Sequence, residues 1–246
     1  MDTLSYLLGK KSGGGGGGSG LDWSAIGYES TPQDIINGYN YAKQIYDNWQ
    51  NVSNLISKFS YNDDLLIMPL VDTSNATNMQ NTFLMCKRLI SVPLLDTSNV
   101  TNMQQTFYNC ISLKTIPQLN TLNVTNMSNC FTNCSYLESI PLLNTSNVTN
   151  MSYMFSYADN LKTIPQLNTS KVTNIYNMFQ NVGKKLTDES LDNILKMCIN
   201  INSNYSGIKT LARLGFSSTS YISTDKWQSL PSYQDFINAG WTIGYS

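Results

Sequence analysis

The residues best suited to chemistry in this 246-residue chain are its five cysteines, and Cys86, Cys110 and Cys134 stand 24 residues apart. A thiolate can act as a nucleophile or a metal ligand only with the right neighbours. The chain contains no histidine at all, so Cys-His and Ser-His pairs and the commonest metal ligand are missing. Cys130 and Cys134 lie four apart without any Cys-x-x-Cys pair, which argues against a zinc site. An odd cysteine count argues against a disulfide framework, and the equal spacing reads as a column of small buried thiols.

Carboxylates are no richer in promise. Asp72, Asp96, Asn120, Asn144 and Asn168 recur at the same interval, as do Asn78, Asn102, Asn126, Asn150 and Asn174. Most of the first column is Asn and no dense carboxylate cluster exists, so both columns are expected to be turns and caps rather than calcium sites. Asp188, Glu189, Asp192 and Asp225 are the only acids of interest for catalysis; Asp188 and Glu189 read better as first-turn helix acids. No cofactor, metal or catalytic group is expected.

These residues are positioned by a 24-residue repeat. Val-Thr-Asn-Met boxes end at Met79 (with Ala76 for Val), Met103, Met127, Met151 and Ile175; Phe83, Phe107, Phe131, Phe155 and Phe179 follow four residues later. Cysteine comes next, replaced by Ala158 and Val182 in the last copies, then Leu89, Leu113, Leu137 and Leu161. Val92-Pro93, Ile116-Pro117, Ile140-Pro141 and Ile164-Pro165 close each copy, with Met68-Pro69 and Val71 as an incomplete first one. Strict internal periodicity of this length marks a stacked-repeat architecture. Leu-x-x-Ile-Pro reads as a short strand with Pro at its end. Asp/Asn-Thr-Ser-Asn reads as a turn, and Met-x-x-x-Phe-x-x-Cys as a short helix with apolar groups at i, i+4 and i+7. The expected fold is an α/β solenoid over residues 61–182, a rod on the order of 24 Å long for five rungs.

The flanks differ in composition. Residues 1–11 form an expected N-terminal arm. Residues 12–20, Ser-Gly-Gly-Gly-Gly-Gly-Gly-Ser-Gly, form a flexible linker. The opening residues do not read as a signal peptide: the apolar run is short and Lys10 and Lys11 follow it. Residues 21–60 read as a helical N-terminal cap, from Thr31-Pro32 through Ile36, Tyr39, Trp49, Ile56 and Phe59. Residues 183–246 read as an α+β C-terminal cap: a helix from Thr187, a second over 208–214, a third over 225–239 and a final strand near Trp241. Charged residues are only 13% and net charge is −1. Neither favours nucleic acid or an anionic membrane, and no membrane span is expected.

Asp96-Thr97-Ser98-Asn99-Val100-Thr101-Asn102-Met103, with Phe107, Cys110 and the Leu113-to-Leu119 segment, resembles the BspA-like leucine-rich repeat family of bacterial surface proteins. The resemblance implies a leucine-rich-repeat solenoid that recognises or adheres to proteins or other surface components, with no catalytic residues. The opening residues, the glycine run and the Gly240-Trp241-Thr242-Ile243-Gly244-Tyr245 ending resemble phage and prophage proteins of gut Firmicutes. That resemblance implies a virion or tail accessory component.

The leading expectation is therefore a non-catalytic recognition or adhesion module. Its partner would be a protein or glycan on a cell surface, with virion or tail assembly through residues 1–11. The contact surface is expected at the repeat positions that vary while their neighbours do not: Ile90, Lys114, Glu138 and Lys162, with Thr115, Ser139 and Thr163 beside them. A second surface is expected where Tyr108, Tyr153, Tyr157 and Tyr176 point outward. The alternatives are a structural spacer or assembly subunit and, more remotely, an enzyme with its site in the C-terminal region.

Overall fold

A computed structural model describes residues 53–68, 71–182, 185–207, 209–212 and 222–244. The arm, the linker and most of the expected helical cap lie outside the described residues. Successive 24-residue segments stack as parallel rungs from residue 53 to residue 182. Each rung places its Phe over the next: Phe59, Phe83, Phe107, Phe131, Phe155 and Phe179 form one buried column, with ring centroids 5.2 to 5.9 Å apart and planes within 14° of parallel. This is offset stacking within the favourable range for aromatic pairs. Met79, Val100, Cys110, Leu113 and their equivalents fill the interior around it.

The segment Met79–Cys86 is not helical, contrary to the expectation from its i, i+4, i+7 pattern. It is a run of three overlapping four-residue turns. Thr82 N–H donates to Met79 O (3.2 Å), Leu84 to Asn81 O (3.1 Å) and Cys86 to Phe83 O (3.0 Å). The intervening amides of Met79, Asn81, Phe83 and Met85 donate instead to Asn102, Gln104, Thr106 and Tyr108 of the next rung, at 2.8–3.0 Å. An α-helix would turn every amide back on its own segment and leave none for the neighbouring rung. Alternation requires a left-handed residue in each turn. Two columns supply them: Ser57, Asn81, Gln105, Asn129, Tyr153 and Asn177, then Tyr61, Met85, Asn109, Asn133, Tyr157 and Asn181, all with φ between +51° and +63°. Asn tolerates this region better than other side chains, and it holds six of the twelve positions.

The expected strand at Leu-x-x-Ile-Pro is reduced to isolated bridges, Ile67 with Ser91 and Ser139 with Thr163. Proline contributes no N–H to a ladder, so this wall pairs sparsely. The continuous bridge column runs through Asn78, Asn102, Asn126, Asn150 and Asn174 on the turn wall. Buried threonines tie the third side: Thr73, Thr97, Thr121 and Thr145 hydroxyls donate to Asp96, Asn120, Asn144 and Asn168 carbonyls at 2.8–3.0 Å.

The described part of the expected N-terminal helix, residues 53–60, is another rung. Leu55, Ser57, Phe59 and Tyr61 amides donate to Asn78, Gln80, Thr82 and Leu84 carbonyls. The sequence carries the phase: Val52-Ser53-Asn54-Leu55 is a worn copy of the box, Phe59 stands 24 before Phe83, and Leu65 stands 24 before Leu89. Hydroxyl-for-hydroxyl and Leu-for-Met replacement hid it.

Helix α1 (Asp188–Ile199) covers the last rung. Thr187 caps it by accepting from Ser190 N–H, and Asp188 and Glu189 sit in its first turn, where the helix dipole favours negative charge. Its buried Leu191, Ile194, Leu195 and Cys198 join the stack's core. Ser190 Oγ accepts from Ile164 N–H (3.0 Å), Asn193 Nδ2 donates to Ile164 O (3.1 Å), and Thr169 Oγ1 donates to Met197 O (2.6 Å). Beyond α1, residues 210–212 form strand β1 (Thr210–Ala212) where a helix was expected. Its parallel pairing with β2 (Thr242–Gly244) accounts for the difference, matching Leu211 to Ile243. Between them, α2 (Thr224–Gln228) and α3 (Tyr233–Asn238) replace the single expected helix. Pro231 stands between them and disfavours helical geometry at Leu230. Gly240, at φ +81°, allows the chain to leave α3 for β2.

Candidate functional site

The structure brings Lys114, Glu138 and Lys162 into one row but leaves little of their charge for a ligand. Glu138 N–H donates to Lys114 O (3.0 Å), and Lys162 N–H donates to Glu138 O (2.9 Å). Lys162 Nζ sits 2.6 Å from Glu138 Oε2, and both side chains remain about half exposed. The hydrogen bond from Lys162 lowers the Glu138 pKa against the opposing effect of burial, and the charges of Lys162, Lys114 and Lys185 add to the lowering. Glu138 and Lys162 thus compensate each other within the row. Ser139 bridges to Thr163 beside it, and Thr115 and Thr163 are exposed. Ile90 does not belong to an exposed surface: it is 5% exposed, because its column partner in the preceding rung is the buried Leu66, whose carbonyl accepts the Ile90 amide (2.8 Å).

Each of the other chemically suggestive columns is structural. Cys86, Cys110 and Cys134 thiols donate to the carbonyls of Phe59, Phe83 and Phe107 at 2.9–3.0 Å. All five cysteines are free and buried, and burial pushes the Cys86 and Cys130 thiols up to about 12 and the other three up as well. Thiols held this way are poor nucleophiles. Asp72 and Asp96 each accept from the N–H and Oγ of the serine two residues on. Those hydrogen bonds lower both carboxyl pKa values. Asn78 and its equivalents close the same kind of turn, Asn78 Oδ1 accepting from Gln80 N–H (2.9 Å). In the C-terminal region, Asp188 pairs with Lys226. Asp192 pairs with Lys196 at 2.9 Å and accepts Ser232 N–H at 2.8 Å. Among the described residues no group of three or more His, Cys, Asp or Glu is placed to hold a metal.

The turn wall carries a recess. Along the column Leu84, Tyr108, Thr132, Ser156 and Gln180, side-chain size drops at Thr132 and Ser156. The gap left is a groove of about 400 Å³. Tyr108 lines it from the preceding rung, and Tyr153 and Tyr157 line it from the two left-handed columns. Asn129 and Asn133 complete its polar lining. No charged side chain lines it. Tyr153 is braced edge-on by Tyr176, with centroids 5.4 Å apart and planes at 76°.

Among the described rungs only this one has bulky residues at both left-handed positions, whereas Tyr61, Met85 and Gln105 each stand singly in theirs. Tyr153 and Tyr157 occupy left-handed positions, at φ +56° and +60°, where the adjacent rungs carry Asn129 and Asn133 on one side and Asn177 and Asn181 on the other. A bulky residue in that region is strained, and such strain collects where function requires it. Ser156 is 1% exposed and its Oγ has no hydrogen-bond partner, as is true of Asn81 Oδ1 on the same wall, although buried polar groups are almost always paired. The sequence did signal the tyrosines as outward-facing. It did not signal the recess, which depends on a size drop in the column just before Tyr157 and on turns read as helix.

A family model described as "Mycoplasma protein of unknown function, DUF285" matches residues 42–134 and again residues 111–212. No curated protein and no solved structure matches the chain.

Proposed function

The chain belongs to the DUF285 family, and on that premise we propose that it is a non-catalytic recognition module that binds a cell-surface ligand through the turn wall of a leucine-rich-repeat-like solenoid. The observation that carries the reading is the pair of strained tyrosines, Tyr153 and Tyr157, on one rung and lining a groove of about 400 Å³. The charged row at Lys114, Glu138 and Lys162 supports a secondary contact, since Glu138 and Lys162 pair with each other. The absence of histidine from the chain and the raised thiol pKa values support a binding role over a catalytic one. Display on a bacterial surface or on a virion, with residues 1–11 as the attachment point, fits a tether of glycines ahead of the repeats.

The test separates stability from binding. Asn is the residue these two columns otherwise favour, so Tyr153→Asn with Tyr157→Asn relieves strain of about 1–2 kcal/mol per position while removing both aromatic walls. The double variant is expected to melt at or above the parent temperature yet lose binding in a pull-down against bacterial and animal cell surfaces. Undiminished cell binding by the double variant would remove the groove from the reading. A spacer or assembly subunit, the second possibility, would show no saturable cell binding in either form.

A further inference from the structure

We infer that the groove takes a neutral saccharide, an inference that rests on the recognition reading above. The argument starts from what the lining lacks. With no Lys, Arg, Asp or Glu on it, the groove offers nothing to neutralise a phosphate, a carboxylate or an ammonium group, and desolvating such a charge without a partner is costly. What it does present is aromatic surface on two sides, from Tyr153 and Tyr157, with Tyr108 on the preceding rung. Between them lie groups that both donate and accept: tyrosine hydroxyls and the Asn129 carboxamide. A pyranose ring has the complementary chemistry. Its C–H faces lie against aromatic rings and its hydroxyl edge meets donors and acceptors in the same plane.

Size and rigidity agree. A volume of about 400 Å³ falls in the range of small-molecule sites and suits one or two sugar rings rather than a folded protein surface. Tyr153 is held by Tyr176, and the left-handed backbone at Tyr153 and Tyr157 is fixed by the hydrogen bonds of Tyr153 N–H to Tyr176 O (2.9 Å) and Tyr157 N–H to Gln180 O (2.9 Å). Ring positions set by the backbone reduce the ordering cost of binding. An extended peptide fits less well: the amides of this wall are already spent on turns and on neighbouring rungs, leaving no ladder for β-augmentation.

The test uses the full chain and three neutral disaccharides, cellobiose, maltose and N,N′-diacetylchitobiose, followed by saturation-transfer NMR. At least one is expected to bind saturably with Kd on the order of 1 mM or tighter. Tyr153→Asn should weaken it by about tenfold or more, while Tyr136→Ala, at an exposed tyrosine away from the groove, should leave it unchanged. No saturation by any of the three up to about 20 mM, or equal losses in both variants, overturns the inference. The two readings fail separately. Cell binding that needs Tyr153 but survives periodate oxidation of cell-surface glycans leaves recognition standing and removes the saccharide.

Discussion

Gln105 stands at φ +54° in a column whose neighbours above and below, Asn81 and Asn129, are the residue type that position favours. Gln105→Asn should therefore raise unfolding free energy by about 0.5–1 kcal/mol, read from urea denaturation, without touching any contact across rungs. The cysteines make the opposite kind of statement. Their thiol form is favoured by burial, with Cys86 and Cys130 raised from an ordinary 9.0 to about 12. A raised folded pKa means the native state holds protons that the unfolded chain releases, so the stabilisation is complete below pH 9 and falls as pH climbs toward 12. Unfolding midpoints measured across that window should decline, and Cys110→Ala should flatten the decline. At neutral pH a maleimide should label none of the five thiols until the chain is unfolded.

At the scale of elements, α1 is a lid fastened by side chains. Ser190→Ala leaves the buried Ile164 N–H without its acceptor and is expected to cost about 1–3 kcal/mol in chemical denaturation. Conversely, Asp192 has its pKa lowered although burial, the largest single influence, acts to raise it; the hydrogen bonds from Lys196 and Ser232 outweigh that burial. A lowered folded pKa gives stability that is present above the ordinary value of 3.8 and disappears as pH falls below it, so attachment of α3 to α1 should loosen first in acid. The helix at Thr187 was legible because its cap and first-turn acids are local signals. The turn wall was not, because apolar spacing of i, i+4, i+7 fits a run of four-residue turns as well as a helix. What distinguishes them is Asn at Asn81, Asn109, Asn129 and Asn133, residues that invite left-handed backbone. Ile90 misled for a related reason: its place in a variable column suggested exposure, and only the buried Leu66 beneath it shows otherwise.

For the whole molecule, the repeat's phase is the property that matters. Each rung contacts chiefly its neighbours, so stability is close to a sum over rungs and interfaces. Deleting residues 100–123, one full period, should leave a folded protein with a smaller denaturant m-value. Deleting residues 100–111 should abolish cooperative unfolding, since it removes Phe107 and Cys110 and leaves that rung half a period short. The same phase was readable far enough to place the Phe and Cys columns, and it failed at residues 53–60, where Ser53 and Leu55 replace the Thr and Met of the box.

The alternating amides of the turn wall have a mechanical consequence. Bonds such as Met79 to Asn102, Met103 to Asn126 and Met127 to Asn150 run from rung to rung along the direction of stacking. Tension applied between the two ends of the stack loads these bonds a few at a time, as in opening a zip, rather than all together in shear. Extension in an optical trap should proceed at low force in steps of one rung, each releasing about 80 Å of chain. A molecule that held its ligand under flow would then lengthen before it let go, dissipating the pull in reversible increments and re-forming when the pull stops.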